Sequence, residues 1–284
     1  MNPLRRFDTI ALDELVATAS LLTRVDRKYV VPRADLVRVF AALDAATRVL
    51  EMDGARDFAY ESVYFDTPDL LSFRMAAQPR RRRFKLRTRT YLDTGTSYLE
   101  IKTRGARGAT VKDRDAYDPA HRDVLSKDAR ADVADALSTI GVPSERAGHL
   151  DATLMTRYRR ATLLVGDGAR ATVDTDLAWL EPDGSGFTLP HLAIVETKSA
   201  AAASAVDRLL WRAGHRPATI SKYGTGLAAL HTELPRNRWA RLLRGPFAGA
   251  QPIGPAPRSD TRPRCSPPSD TAHRPEEASC SAAA

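Results

Sequence analysis

The stretch Arg83-Phe84-Lys85-Leu86-Arg87-Thr88-Arg89 decides how this chain is read. Successive side chains of an extended strand point to opposite faces. Arg83, Lys85, Arg87 and Arg89 therefore share one face, and Phe84, Leu86 and Thr88 the other. The apolar face has to pack against something. The cationic face either meets water, as on an ordinary surface strand, or lines an interior. A single strand leaves both readings open.

Other segments shift the balance towards an interior. Glu100-Ile101-Lys102 sets a carboxylate and an ammonium on one face, and Glu196-Thr197-Lys198 repeats the spacing after the apolar lead Leu192-Ala193-Ile194-Val195. Asp26-Arg27-Lys28 is the acidic variant of the same pattern. Asp174 and Asp176 put two carboxylates on one face of a further strand, and Arg157 with Arg159 adds two cations. Five or six strands that pair cations with a few acids predict a lined cavity. Residue type and alternation place strands at about 24–31, 58–66, 81–92, 97–102, 109–117, 156–165, 169–177 and 192–198. Turn residues at Asp93-Thr94-Gly95, Gly105 to Gly108 and Gly166-Asp167-Gly168 suit hairpins. The fold class expected is α+β: an antiparallel eight-stranded β tunnel with helices packed outside.

Helical spacing marks Leu12, Leu15, Val16, Ala19 and Leu22, and then Leu36, Val37, Phe40 and Leu43 after Pro32. Thr67-Pro68 reads as a helix start, and further helices are expected over 121–140, 201–213 and 221–232, the last capped by Ser221 beside Lys222. Eight of the 18 prolines fall at or after Pro246, among Ser, Ala, Arg and Gly. So few large apolar residues accompany them that nothing offsets the entropy of ordering that segment. The expected organisation is an N-terminal helix over 1–23, the tunnel domain over 24–244, and a disordered tail over 245–284.

The net charge of +8 calls for an anionic partner: a phosphorylated small molecule, nucleic acid or an acidic surface. Cys265 and Cys280, the only cysteines, form neither a disulfide framework nor a zinc spacing. No apolar h-region follows Met1-Asn2-Pro3-Leu4-Arg5-Arg6, and no stretch nears the ~18 apolar residues that span a bilayer. A cytoplasmic location is expected, with any membrane attachment through a membrane-protein partner. P-loop, dinucleotide, zincin and nucleophile-elbow motifs are absent. The run Arg80-Arg81-Arg82-Arg83 would suit a nucleic-acid patch on its own, but its continuation into an alternating strand makes nucleic acid the weaker partner.

Arginine and lysine hold phosphates through charge-assisted, often bidentate, hydrogen bonds. Carboxylates in the same cavity would repel a phosphate unless a hard divalent cation bridged them to it. Glu100, Asp174 and Glu196 are the candidate ligands for such a cation.

In order along the chain, Lys28-Tyr29, Tyr64-Phe65-Asp66-Thr67, Arg83-x-Lys85-x-Arg87-x-Arg89, Leu99-Glu100-x-Lys102, Arg157-Tyr158-x-Arg160, Asp174-x-Asp176, Val195-Glu196-x-Lys198 and Ser221-Lys222-Tyr223 resemble the VTC domain. That is the polyphosphate-polymerase domain of the vacuolar transporter chaperone complex, within the CYTH-like, or triphosphate tunnel metalloenzyme, superfamily. The resemblance implies metal-dependent phosphoryl transfer on ATP, another nucleoside triphosphate or polyphosphate, with Mn²⁺ or Mg²⁺. It implies that Lys85, Arg87, Arg89 and Glu196 are catalytic. Lys28, Arg83, Lys102, Lys112, Arg157, Arg160, Lys198 and Lys222 would bind phosphate, and Glu196, Glu100 and Asp174 would bind metal. The first strand departs from the superfamily's Glu-x-Glu-x-Lys, carrying Arg24-x-Asp26-x-Lys28 instead. A triphosphatase, or a non-catalytic module that binds polyphosphate or RNA, would use the same clamp.

Overall fold

A computed structural model describes residues 3–18, 25–78, 80–105, 108, 110–166, 168–200 and 202–255. Ala19, Leu22, Arg24, both cysteines and the expected tail from residue 256 lie outside the described residues. The strands are β1 (Asp8–Ile10), β2 (Val25–Pro32), β3 (Arg48–Leu50), β4 (Phe58–Asp66), β5 (Arg83–Tyr91), β6 (Thr96–Arg104), β7 (Thr110–Tyr117), β8 (Asp151–Leu164), β9 (Arg170–Leu180), β10 (Gly186–Leu189), β11 (Leu192–Ser199) and β12 (Gln251–Ile253). The α-helices are α1 (Leu12–Thr18), α2 (Arg33–Ala41), α3 (Leu71–Ala77), α4 (Lys127–Thr139), α5 (Ala205–Arg212), α6 (Lys222–Leu230) and α7 (Ala240–Arg244).

The eight long strands are those the alternation predicts. They run β2-β11-β9-β8-β4-β5-β6-β7, each antiparallel to its neighbour. Side chains from all eight line one cavity, so the sheet curls round on itself. Among the described residues no ladder joins β7 back to β2, and the tunnel wall keeps an open seam.

The outer faces carry the apolar halves of the alternation. Phe84 and Leu86 of β5, Leu99 and Ile101 of β6, and Val63 and Phe65 of β4 pack against Ala129, Val133 and Leu137 of α4. Ser126 starts α4 by accepting from the Ala129 N–H at 3.1 Å. On the other side Tyr29, Val31, Val173, Ala193 and Val195 pack under Leu36, Val39 and Phe40 of α2 and Val206 and Leu210 of α5. Each fully buried side chain of this kind stabilises the fold by roughly 1.5–3 kcal/mol.

Helix α6 takes a different position, against the concave face. Residues Tyr223 to Ala228 are all buried there, and Tyr223 stacks on Tyr64 at 5.1 Å. Gly226 makes this approach feasible, because a Cβ on it would lie 2.3 Å from Cδ1 of Trp179. The indole Nε1 of Trp179 donates to the carbonyl of Lys222 at 2.8 Å and pins the start of the helix.

Two boundaries differ from expectation. Residues 1–23 do not form one helix: β1 precedes α1 and pairs in parallel with β3, because Phe7 and Ile10 are buried. After Gly245 the chain stays ordered through β12, which pairs with β10. Phe247, set among prolines and small residues, packs against Trp179 and Phe187 and anchors that segment. No described helix is long and apolar enough to cross a membrane.

Candidate functional site

Cross-strand register converts the sequence pattern into rows of charge inside a cavity of about 500 Å³. Lys85, Lys102 and Lys112 stand opposite one another across β5, β6 and β7, and Arg87, Glu100 and Arg114 form the next row. On the facing wall Lys28 stands opposite Glu196, and Asp26 opposite Lys198, which in turn faces Arg170 of β9.

The guanidiniums are compensated. Arg87 donates to Oε2 of Glu100 from Nε at 2.9 Å and from Nη2 at 2.6 Å, and from Nη1 to the Tyr64 hydroxyl at 3.2 Å. Arg89 approaches the other oxygen of Glu100 at 3.5 Å. Arg160 forks onto Asp174 at 2.6 and 2.9 Å, and the Lys222 ammonium bonds the same carboxylate. Aromatic faces add cation–π attraction: Tyr158 lies 5.2 Å from the Arg160 guanidinium and 4.1 Å from the Lys222 ammonium. Burial alone would raise the Asp174 pKa, but Arg160 and Lys222 outweigh it and hold the group well below the carboxylate range. Burial likewise opposes the charge on Arg87, and Tyr64 and Glu100 more than restore it.

Lys85 and Lys102 are not compensated in this way. Burial, followed by Lys28, Arg87, Lys102 and Lys222, drives the Lys85 pKa well below its ordinary value. Burial also lowers Lys28, reinforced by Arg87 and Arg160, and lowers Lys102, reinforced by Lys112 and Lys28. Lys85 does donate to Oγ of Ser221 at 2.8 Å, which is polar but neutral. The same Oγ accepts from the Gly224 N–H at 3.2 Å, so the cap of α6 and the lysine share one oxygen.

Of the residues singled out in the sequence, Lys28, Lys85, Arg87, Arg89, Glu100, Lys102, Lys112, Arg160, Glu196, Lys198 and Lys222 line the cavity together. Asp174 lies directly behind Arg160 and Lys222, 2 % exposed. Arg157 points to the outer face and donates to the buried carboxylate of Glu61 at 2.8 Å. Arg159 also points outward, onto Asp57 at 3.0 Å. Arg83 lines a neighbouring pocket instead. Asp174 and Asp176 do not share a face: a register shift between β8 and β9 accompanies a positive φ of 51° at Asp176, which turns outward to Arg33 at 2.7 Å. Sequence reasoning missed Arg114 and Arg170. Both continue an inward alternation, Arg114 two positions after Lys112 and Arg170 two before Thr172, so the signal was present.

The three expected metal ligands divide by what holds them. Glu100 and Asp174 are gripped by guanidiniums. Glu196 is met by ammoniums, Lys198 on one oxygen and Lys28 at 3.6 Å on the other. Lys198 also reaches Asp26 at 3.5 Å, so two cavity carboxylates gather round one lysine. No described group of three His, Cys, Asp or Glu forms a closed cage. Mg²⁺ or Mn²⁺ takes oxygen ligands, often one or two carboxylates with phosphate supplying others. Glu196 and Asp26 are carboxylates of the kind such an ion takes.

No curated protein sequence matches the chain. Among solved structures it is similar to a candidate adenylyl cyclase from Hippeastrum described as having a dominant triphosphatase activity (15% identity, 72% of this chain and 96% of that one, TM-score 0.45). It is also similar to a candidate adenylate cyclase from Vibrio parahaemolyticus (13%, 68% and 87%, TM-score 0.35) and to the PH1819 protein of Pyrococcus horikoshii (13%, 69% and 91%, TM-score 0.36). The VTC domain matches residues 23–231, which span all eight long strands, α6 and the cation rows between them, and the chain therefore belongs to the VTC domain family.

Proposed function

We propose that this protein transfers the terminal phosphoryl group of a nucleoside triphosphate, ATP for example, to the end of a polyphosphate chain, with Mn²⁺ or Mg²⁺ bound alongside the phosphates. The observation that carries this reading is the lysine wall: Lys85, half-buried, and Lys102, open to solvent, face other cations with no ion-pair partner among the described residues. Binding a run of phosphates would relieve that repulsion.

In the reaction a terminal oxygen of the acceptor attacks the γ-phosphorus as the bond to the β–γ bridging oxygen breaks, leaving a nucleoside diphosphate. Catalysis of this kind is positioning and charge stabilisation. Lys28, Lys85 and Lys102 hold non-bridging oxygens. Arg87 and Arg89, braced by Glu100, and Arg160, braced by Asp174, keep their guanidiniums in fixed orientations so that little reorganisation is needed as charge moves. Glu196, with Asp26, would hold the divalent ion, which when bound neutralises charge on the transferred group. Lys222 presents its ammonium from the start of α6.

The test is incubation of the purified protein with ATP and Mn²⁺ or Mg²⁺, following free phosphate and long-chain polyphosphate together, beside Glu196→Gln and Arg87→Ala. Polyphosphate formed by the intact protein and lost in both variants is the expected result. Free phosphate alone would make the protein a triphosphatase. Phosphate binding with neither product, unaltered by Glu196→Gln, would make it a binding module.

A further inference from the structure

A second, smaller pocket of about 190 Å³ adjoins the main cavity, and Lys85, Lys102 and Ser221 line both. Its walls differ in kind. Arg83 and Arg104 enter from the ends of β5 and β6, where they stand opposite each other, and Arg238 enters from the segment before α7. No carboxylate lines this pocket, whereas Asp26, Glu100 and Glu196 line the main one. Arg238 is held by a bond from Nη1 to the carbonyl of Ala76 at 2.7 Å. Nε of Arg104 is buried with no partner among the described residues. Burial, then Arg104 and Arg238, lower the pKa of Arg83, so the three cations crowd one another. Arg238 lies beyond the residues that match the family.

We propose that the Arg83–Arg104–Arg238 pocket is a second anion subsite, which receives further phosphates of a linear polyphosphate leaving the main cavity past Lys85 and Lys102. The inference rests on the main cavity being a phosphate site. Lacking carboxylates, the pocket offers a divalent ion no anchor and takes the phosphates directly. Arginine forks suit the paired non-bridging oxygens of a phosphate. A triphosphate held in the main cavity stops short of it, so the subsite discriminates by chain length.

The experiment measures binding of tripolyphosphate and of a longer linear polyphosphate to the full chain, with a chelator present, by calorimetry. The intact protein, Arg238→Ala, Arg104→Gln and Thr219→Glu are compared, the last placing a carboxylate in the pocket wall. The expected result is tighter binding of the longer chain by the intact protein. That advantage should fall roughly tenfold in each variant, the loss of one charge-assisted bond, with tripolyphosphate affinity unchanged. A length advantage that persists in all three variants, or none in the intact protein, would overturn the subsite and leave the main cavity standing. Failure of the intact protein to bind either anion would overturn both readings.

Discussion

Two walls of one cavity carry the same sign of charge in opposite circumstances. On the guanidinium wall Arg87 and Arg160 each meet a carboxylate in place, Glu100 and Asp174. On the lysine wall Lys85 and Lys102 meet other cations. The first arrangement is complete without a ligand and sets geometry. The second has no anion of its own among the described residues. On the function proposed above, the paired charges supply the frame and the unpaired ones the affinity for phosphate.

Breaking the frame should have the largest effect. Asp174→Asn leaves Arg160 and Lys222 buried without their anion, and is expected to cost about 3–5 kcal/mol, the usual penalty for stranding a buried charge. Urea denaturation measures it. A loss below about 1 kcal/mol would mean that water reaches this triad and that it frames nothing. Lys85→Met should do the opposite. Stability without ligand should stay within about 1 kcal/mol of the parent, because a crowded cation is removed, while tripolyphosphate affinity falls roughly ten- to a hundredfold. Equal losses of stability and affinity would erase the distinction between the walls.

The lysine wall also predicts a pH dependence whose sign is fixed. Lys28, Lys85 and Lys102 have lowered pKa values, so between those values and the ordinary 10.5 the folded state binds fewer protons than the unfolded chain. Ligand-free stability should rise with pH across that window, by at most about 1.4 kcal/mol per pH unit for Lys85 and by less for Lys28 and Lys102, which solvent screens. Phosphate affinity should fall across the same window as the ammoniums lose their protons. Parallel titrations by thermal melting and calorimetry check both, and stability falling with pH there would refute the assignment. The smallest effect concerns placement of Lys222. Tyr223 donates to the buried carboxylate of Asp66, which also accepts from the N–H groups of Ser72 and Phe73 and so ties α6 to α3. Tyr223→Phe should cost about 0.5–1.5 kcal/mol; a change in phosphate affinity exceeding the change in stability would show that this tie positions Lys222.

The eight strands were legible because they are long and rich in β-type residues, and the clearest of them, Arg83–Tyr91, alternates strictly between its two faces. The strands β1, β3, β10 and β12 span three or four residues, too few for a period to show. For the site, alternation told which residues share a face but not which face turns inward. Arg157 and Arg160 lie on opposite faces of β8, and only the packing of Ala161 and Leu163 under α2 settles the choice. The fate of Asp174 depended on register with Arg160 across β8 and β9, and that of Asp176 on a bulge. Neither is written in local sequence. Arg238 was invisible for a different reason: it reaches its pocket from outside the sheet and belongs to no pattern.

Among the described residues no strand pairs with the outer edge of β7, whose residues are exposed at every position but Tyr117. Unpaired strand edges are templates on which a second sheet can grow. Along this edge Lys112 and Arg114 lie on one face, and Asp113 and Asp115 on the other. Were two copies to join antiparallel through β7, their matching faces would align and set cation beside cation and acid beside acid, an arrangement that opposes pairing. The charges that furnish the cavity on one side of the strand thus also keep each molecule's sheet from continuing into the next.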